Sequence, residues 1–127
     1  MTVHKGSCHC GAVEFEVEGD FSGGFVCDCS LCKRKGAIMM RVPKEQFKLT
    51  KGADDLSSYQ WNTKIAKHYF CKHCGIHPFI RPRLDPGRWA FNVRCIDGVD
   101  LSSIKVRAFD GQNWEETAKA YYDRVKK

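Results

Sequence analysis

The chain lacks any stretch that approaches the roughly 20 consecutive apolar residues of a membrane-spanning helix. It also lacks low-complexity segments, internal repeats and interdomain linkers. Its 127 residues are therefore expected to form a single domain, 1–127, long enough to bury a core and short enough for a metal staple to matter. Met1-Thr2-Val3-His4-Lys5 carries no apolar run of the kind found in an export signal, so the expectation is a cytoplasmic protein with no membrane partner. Cysteine, at eight residues or about 6% of the chain, falls short of the share typical of disulfide scaffolds. Cys-x-Cys and Cys-x-x-Cys pairs are also strained as internal bridges.

What the chain does have is cysteine in close sets. Seven of the eight fall in Cys8-His9-Cys10, Cys27-Asp28-Cys29-Ser30-Leu31-Cys32 and Cys71-Lys72-His73-Cys74-Gly75. These spacings suit zinc, which takes about four tetrahedral ligands with Zn–S near 2.3 Å. Cys-x-x-Cys followed by glycine is a half-site made by a tight turn, because glycine can adopt the backbone conformation that lets peptide N–H groups face the sulfurs. Cys8 and Cys10, two apart in an expected strand, point to the same side. Joining them to Cys71 and Cys74 makes a closed four-thiolate site that staples the start of the domain to its middle. Cys27, Cys29 and Cys32 remain, and three protein ligands leave a fourth position for water or a substrate thiol.

The formal charge is +6. Seven thiolates on two Zn²⁺ change it by −7 + 4 = −3, leaving +3, which is an ordinary basic excess. Lys33-Arg34-Lys35 matters by position, directly after Cys32: it is either a solvated surface run or an anchor for an anionic substrate.

Strands are expected almost throughout. Val13, Phe15 and Val17 alternate with Glu14, Glu16 and Glu18, the period-2 pattern of a half-buried strand. Further strands are expected around Phe25–Cys27, Ala37–Val42, Phe47–Thr50, Ser57–Trp61, Ile65–Phe70, Pro78–Arg83, Arg88–Ile96 and Ile104–Ala108, separated by turn signals such as Asp85-Pro86-Gly87. One helix is expected near the C-terminus, capped by Asp110 or Asn113, with Glu115 and Glu116 in its first turn. Its apolar stripe of Trp114, Ala118, Tyr121 and Val125 reads most simply as core packing.

Gly6-Ser7-Cys8-His9-Cys10-Gly11-Ala12-Val13, Cys27-Asp28-Cys29-Ser30-Leu31-Cys32 and Phe70-Cys71-Lys72-His73-Cys74-Gly75, in this order, resemble the glutathione-dependent formaldehyde-activating enzyme family, which also contains the centromere protein V domain. Arg41-Val42-Pro43, Asn92-Val93-Arg94-Cys95-Ile96-Asp97 and Phe109-Asp110-Gly111-Gln112-Asn113-Trp114 resemble its later blocks. The resemblance implies a mainly β, Mss4-like fold of packed antiparallel sheets with one C-terminal α-helix. It implies two zincs, a structural one on Cys8, Cys10, Cys71 and Cys74 and a labile one on Cys27, Cys29 and Cys32. It implies a carbon–sulfur lyase type of chemistry on glutathione and formaldehyde or a similar aldehyde, giving S-hydroxymethylglutathione. Cys29 is the ligand that the resemblance lets leave the metal to meet the glutathione sulfur.

Lys33, Arg34 and Lys35 are then candidates for the glutathione carboxylates, on position alone. Asp28, His68, His73 and His77 are all candidates for moving a proton, and the sequence does not choose among them. His9 and His73 lie inside cysteine pairs, where sulfur is the expected ligand. Cys95 reads either as a buried small hydrophobe on a strand face with Trp89, Phe91 and Val93, or as a fourth ligand that closes the open site. The alternative to an enzyme is a non-catalytic, zinc-stapled binding module, though the chain lacks a long basic or proline-rich extension for that role. A nucleic-acid binder is disfavoured because the three tryptophans sit in apolar, core-like patterns rather than on a basic face.

Overall fold

Glu14–Glu18 forms β2, with Phe15 and Val17 buried and the glutamates between them turned outward, as period-2 alternation requires. It lies between β1 (Val3–Ser7) and β5 (Phe47–Lys51) in a three-stranded antiparallel sheet. Register sets opposite charges across the wet face: Glu16 is opposite Lys5 and Lys48, and Glu14 is opposite Lys51. A one-residue slip would turn Phe15 and Val17 to solvent. Gly6 is opposite Phe15, whose ring occupies the space that a Cβ at position 6 would need.

The computed structural model describes residues 3–19, 23–27, 30–60, 67–81, 88–109, 115–116 and 118–120. Within them, β3 (Gly23–Cys27), β4 (Met39–Pro43), β6 (Leu56–Tyr59), β7 (Lys67–Cys71), β8 (Phe79–Arg81), β9 (Arg88–Asn92) and β10 (Lys105–Phe109) form a seven-stranded sheet in the order β10-β3-β4-β9-β8-β7-β6. Every pairing in it is antiparallel except β10 with β3, which is parallel. The protein is mainly β, as expected, with that one parallel edge added.

The core is an aromatic cluster shared by the two sheets. Phe15 packs against Phe47, Phe79 and Phe91 with ring centroids 5.6, 5.9 and 6.4 Å away. Trp89 stacks on Phe47 at 5.1 Å, and Tyr69 packs against Phe79 at 5.5 Å. Such offset and edge-on pairs add to the large apolar area that each ring buries.

Several local expectations need correction. The stretch expected as one strand, Arg88–Ile96, stops at Asn92, whose side-chain oxygen accepts the Arg94 N–H and turns Val93–Cys95 into a 3₁₀ turn. Cys95 therefore does not share a strand face with Trp89 and Phe91. Cys8 and Cys10 are not in a strand either: β1 ends at Ser7, and they sit in the β1–β2 turn. A short helix not anticipated from the pattern, α1 (Ser30–Lys35), follows β3. At six residues it spans less than two turns, too few for a helical period to show. Residues 115–116 and 118–120 are helical, with Ala118 buried and Glu115 and Glu116 exposed; Trp114, Tyr121 and Val125 of the expected stripe lie outside the described residues. No helix among the described residues is long and apolar enough to cross a membrane.

Candidate metal centre

Two similar turns build the centre. In the first, the Cys8 N–H donates to the Val13 carbonyl at 3.1 Å and the Gly11 N–H to the Cys8 carbonyl at 3.3 Å. In the second, the Cys71 N–H donates to Ile76 at 2.9 Å and the Gly75 N–H to Cys71 at 2.8 Å. Each turn is completed by a glycine directly after its second cysteine, Gly11 at φ 81° and Gly75 at φ 79°, a left-handed conformation that side-chain-bearing residues rarely adopt. The first turn belongs to the small sheet and the second closes the end of β7 in the large one. Chain length alone does not join them; the tertiary fold does.

Cys8, Cys10, Cys71 and Cys74 have Sγ atoms all within 4.8 Å of one another, the one such group among the described residues. Sγ–Sγ separations are 3.6 Å for Cys8–Cys10 and 3.6 Å for Cys10–Cys71. Ligands at about 2.3 Å from a tetrahedral zinc stand about 3.8 Å apart, so the sulfurs already fit such an ion. Cys8 and Cys71 are buried, Cys74 is half-buried and Cys10 is exposed. The Val13 N–H points at Cys8 Sγ at 3.4 Å, a donor that favours the thiolate.

Four thiols this close cannot all ionise without a cation. The Ala12 N–H favours a Cys10 thiolate, but desolvation and the hydrogen bonds shared with Cys8, Cys71 and Cys74 outweigh it and push Cys10 up to about 12. At Cys74 desolvation acts upward, yet the N–H groups of Ile76 and Cys10 and the bonds shared with Cys71 and Cys10 bring the thiol down to about 6. A divalent cation would supply the charge that four sulfurs this close lack and would replace the protons they retain.

The second cysteine set is only partly in view. Cys27 ends β3 and Cys32 belongs to α1, while Asp28 and Cys29 lie outside the described residues, as do the side chains of Cys27 and Cys32. Among the basic residues, Lys33 and Arg34 are exposed, whereas Lys35 is half-buried with Nζ 3.4 Å from His68 Nδ1.

The other candidates separate cleanly. His73 is exposed and pairs with Asp55 at 2.8 Å on the outer side of the Cys71–Cys74 turn, and His9 is exposed. His68 is buried and His77 half-buried; burial, then Lys35 and His77, hold His68 down to about 4, and burial with Lys35 does the same to His77. Cys95 is half-buried outside the four-thiol group; burial and the neighbouring Cys8 and Cys74 push it up to about 11 against the pull of Lys35. Arg41 and Asn92 were not singled out from the sequence. The Arg41 guanidinium stacks 4.1 Å over the Phe25 ring, and Asn92 Nδ2 donates to the His77 carbonyl at 3.1 Å. Their only sequence signal was position, inside Arg41-Val42-Pro43 and at the head of Asn92–Asp97.

A fold of this kind, with a four-thiol cluster bridging two sheets, defines a small β domain whose cysteines could hold a metal ion. The model of the family described as glutathione-dependent formaldehyde-activating enzyme matches residues 3–122, and the chain belongs to that family. A Penicillium rubens protein named "Putative glutathione-dependent formaldehyde-activating enzyme" is 31% identical over 116 residues, covering 86% of this chain and 54% of its own length. A Fusarium vanettenii protein of the same name is 35% identical over 78 residues, covering 58% of this chain and 41% of its own length. The chain therefore spans about half the length of these curated relatives. A Rhodobacter sphaeroides protein of known crystal structure is 39% identical, with a TM-score of 0.74, covering 81% of this chain and 99% of that one.

Proposed function

We propose that the protein is a zinc-dependent, carbon–sulfur lyase-type enzyme of the cytoplasm that forms or cleaves S-hydroxymethylglutathione, or an adduct of a similar small thiol and aldehyde. In the forward direction the thiol sulfur bonds to the aldehyde carbon, the C=O π bond opens, and the thiol proton ends on the new alcohol oxygen. Cleavage is the reverse, so no oxidant or reductant is needed. Cys8, Cys10, Cys71 and Cys74 would hold a structural zinc, and Cys27, Cys29 and Cys32 a labile one. Zinc with an exchangeable position supplies Lewis acidity and lowers the pKa of a bound thiol. Lys33, Arg34 and Lys35 would bind the carboxylates of glutathione, keeping the thiol oriented while Cys29 exchanges its place.

One observation carries the reading: among the described residues Cys8, Cys10, Cys71 and Cys74 already make a four-thiol set, in a chain of this family whose sequence holds three further close cysteines at Cys27, Cys29 and Cys32. A purely structural staple accounts for the first four and leaves the other three unexplained. The test is zinc release to a colorimetric chelator, with and without glutathione. Two phases, the faster one sensitive to glutathione, are expected; a single slow phase insensitive to glutathione would sink the enzyme reading and favour the zinc-stapled binding module.

A further inference from the structure

The four-thiol centre faces one side of the large sheet's problem, the joining of two sheets; the opposite face carries a separate polar group. Strand register sets His68, Ile80, Ala90 and Arg41 directly across from one another on β7, β8, β9 and β4. Directly opposed residues share a face, and this row alternates with Tyr69, Phe79, Phe91 and Val42, which face the aromatic core. Lys35 reaches this face from α1, and His77 reaches it from the segment before β8, its ring 5.3 Å from that of Phe70.

Resting on the thiol-adduct reading above, we infer that Lys35, His68 and His77 line a pocket that binds a carboxylate of the thiol substrate. An ammonium at Lys35 can only donate, so at 3.4 Å it donates a hydrogen bond to His68 Nδ1 and leaves the ring hydrogen on Nε2. His68 is thereby fixed as a second donor. His77 is held by its backbone, through Asn92, while its buried Nδ1 has no hydrogen-bond partner. A buried ring nitrogen in that condition is destabilising until something polar reaches it. The charge acting on both rings is that of Lys35, which disfavours a cationic ligand and favours an anionic one. A carboxylate, with two oxygens and about four acceptor positions, can take an ammonium and imidazole N–H groups together.

Lys35 is also three residues beyond Cys32 on the same short helix. The same short helix would therefore carry both an anchor for one end of a thiol substrate and one member, Cys32, of the proposed labile cysteine set. Lys33 and Arg34, both exposed, would hold an anion only through solvent-screened attraction, whereas Lys35 is half-buried beside His68.

The experiment follows the ring nitrogens of ¹⁵N-histidine-labelled, metal-loaded protein by NMR during titration with acetate, glutathione and glutathione diethyl ester. His68→Gln and His77→Gln assign the signals. Acetate and glutathione should shift both rings and the diester should shift neither. Lys35→Gln should weaken glutathione binding about tenfold, with partial rescue by Lys35→Arg, as loss of a charge-assisted contact implies; the wild-type titration stands even if this variant folds poorly. Glutathione that binds without moving either ring refutes the pocket and leaves the thiol reading intact. Rings that respond to acetate in a protein that does not bind glutathione support the pocket and refute the thiol reading. Rings unmoved by every titrant, or moved equally by the diester, overturn the inference.

Discussion

Replacing Cys71 by serine tests the candidate metal centre at its most buried cysteine. Cys71 is 0% exposed, ends β7 in the large sheet and stands 3.6 Å from Cys10 in the β1–β2 turn of the small one. Serine removes one of four sulfurs and buries a hydroxyl in its place. Structural zinc binds such sites with an apparent free energy of about 10–16 kcal/mol, or about 2.5–4 kcal/mol for each of four ligands. That is a large part of the roughly 5–15 kcal/mol that keeps a domain folded. At about 2.1 cal/mol/K per residue over 127 residues, the unfolding entropy is about 0.27 kcal/mol/K, so the melting temperature should fall by about 9–15 °C. Circular-dichroism melts and elemental analysis of metal per chain would measure both effects. Cys95→Ser, which changes a thiol near Cys8 and Cys74 but outside the four, should keep the metal and most of the stability. A Cys71→Ser protein with native melting temperature and full metal content would refute the pairing of the two turns.

Other expected outcomes follow from the packing and from the histidines. Phe15→Ala removes the ring on which three other aromatic rings converge and should cost about 3–5 kcal/mol in urea unfolding; a loss below about 1 kcal/mol would contradict the shared core. Gly6→Val puts a branched side chain where the Phe15 ring lies and should cost at least about 1–3 kcal/mol, with a neutral result showing that β1 can move aside. His73→Ala removes an exposed pair with Asp55 and should change stability by no more than about 1 kcal/mol. Burial and Lys35 hold His68 and His77 at about 4, below their ordinary 6.5, so the folded state binds fewer protons than the unfolded one. Their contribution is complete above about pH 6.5 and is lost as pH falls toward about 4. The His68→Gln, His77→Gln double variant should therefore show a flatter loss of stability between about pH 7 and about pH 5 than wild type, and an equal slope would contradict it.

The features written in the sequence alone are those whose physics is local. Cys8-His9-Cys10-Gly11 and Cys71-Lys72-His73-Cys74-Gly75 each close a turn within a few residues, so the spacing and the following glycine already imply a half-site. The alternation from Val13 to Glu18 likewise implies which residues β2 buries, because successive side chains in a strand take opposite sides whatever lies beyond them. Order along the chain could not reveal the parallel pairing of β10 with β3, whose partners Lys105 and Gly23 are far apart in sequence. It could not end β9 at Asn92 either, since Arg88–Ile96 stays apolar at alternate positions and one side-chain hydrogen bond breaks the strand. Lys33, Arg34 and Lys35 were equivalent as three adjacent charges; the fold exposes the first two and turns the third onto His68. His68, His73 and His77 were equivalent as histidines near a cysteine pair, until strand register set His68 opposite Ile80, the fold brought the His77 ring beside Phe70, and His73 was left at the surface beside Asp55. Ligand type and half-site geometry belong to the local chain, and which distant groups share a dielectric, a charge or a proton is decided only when the strands pair.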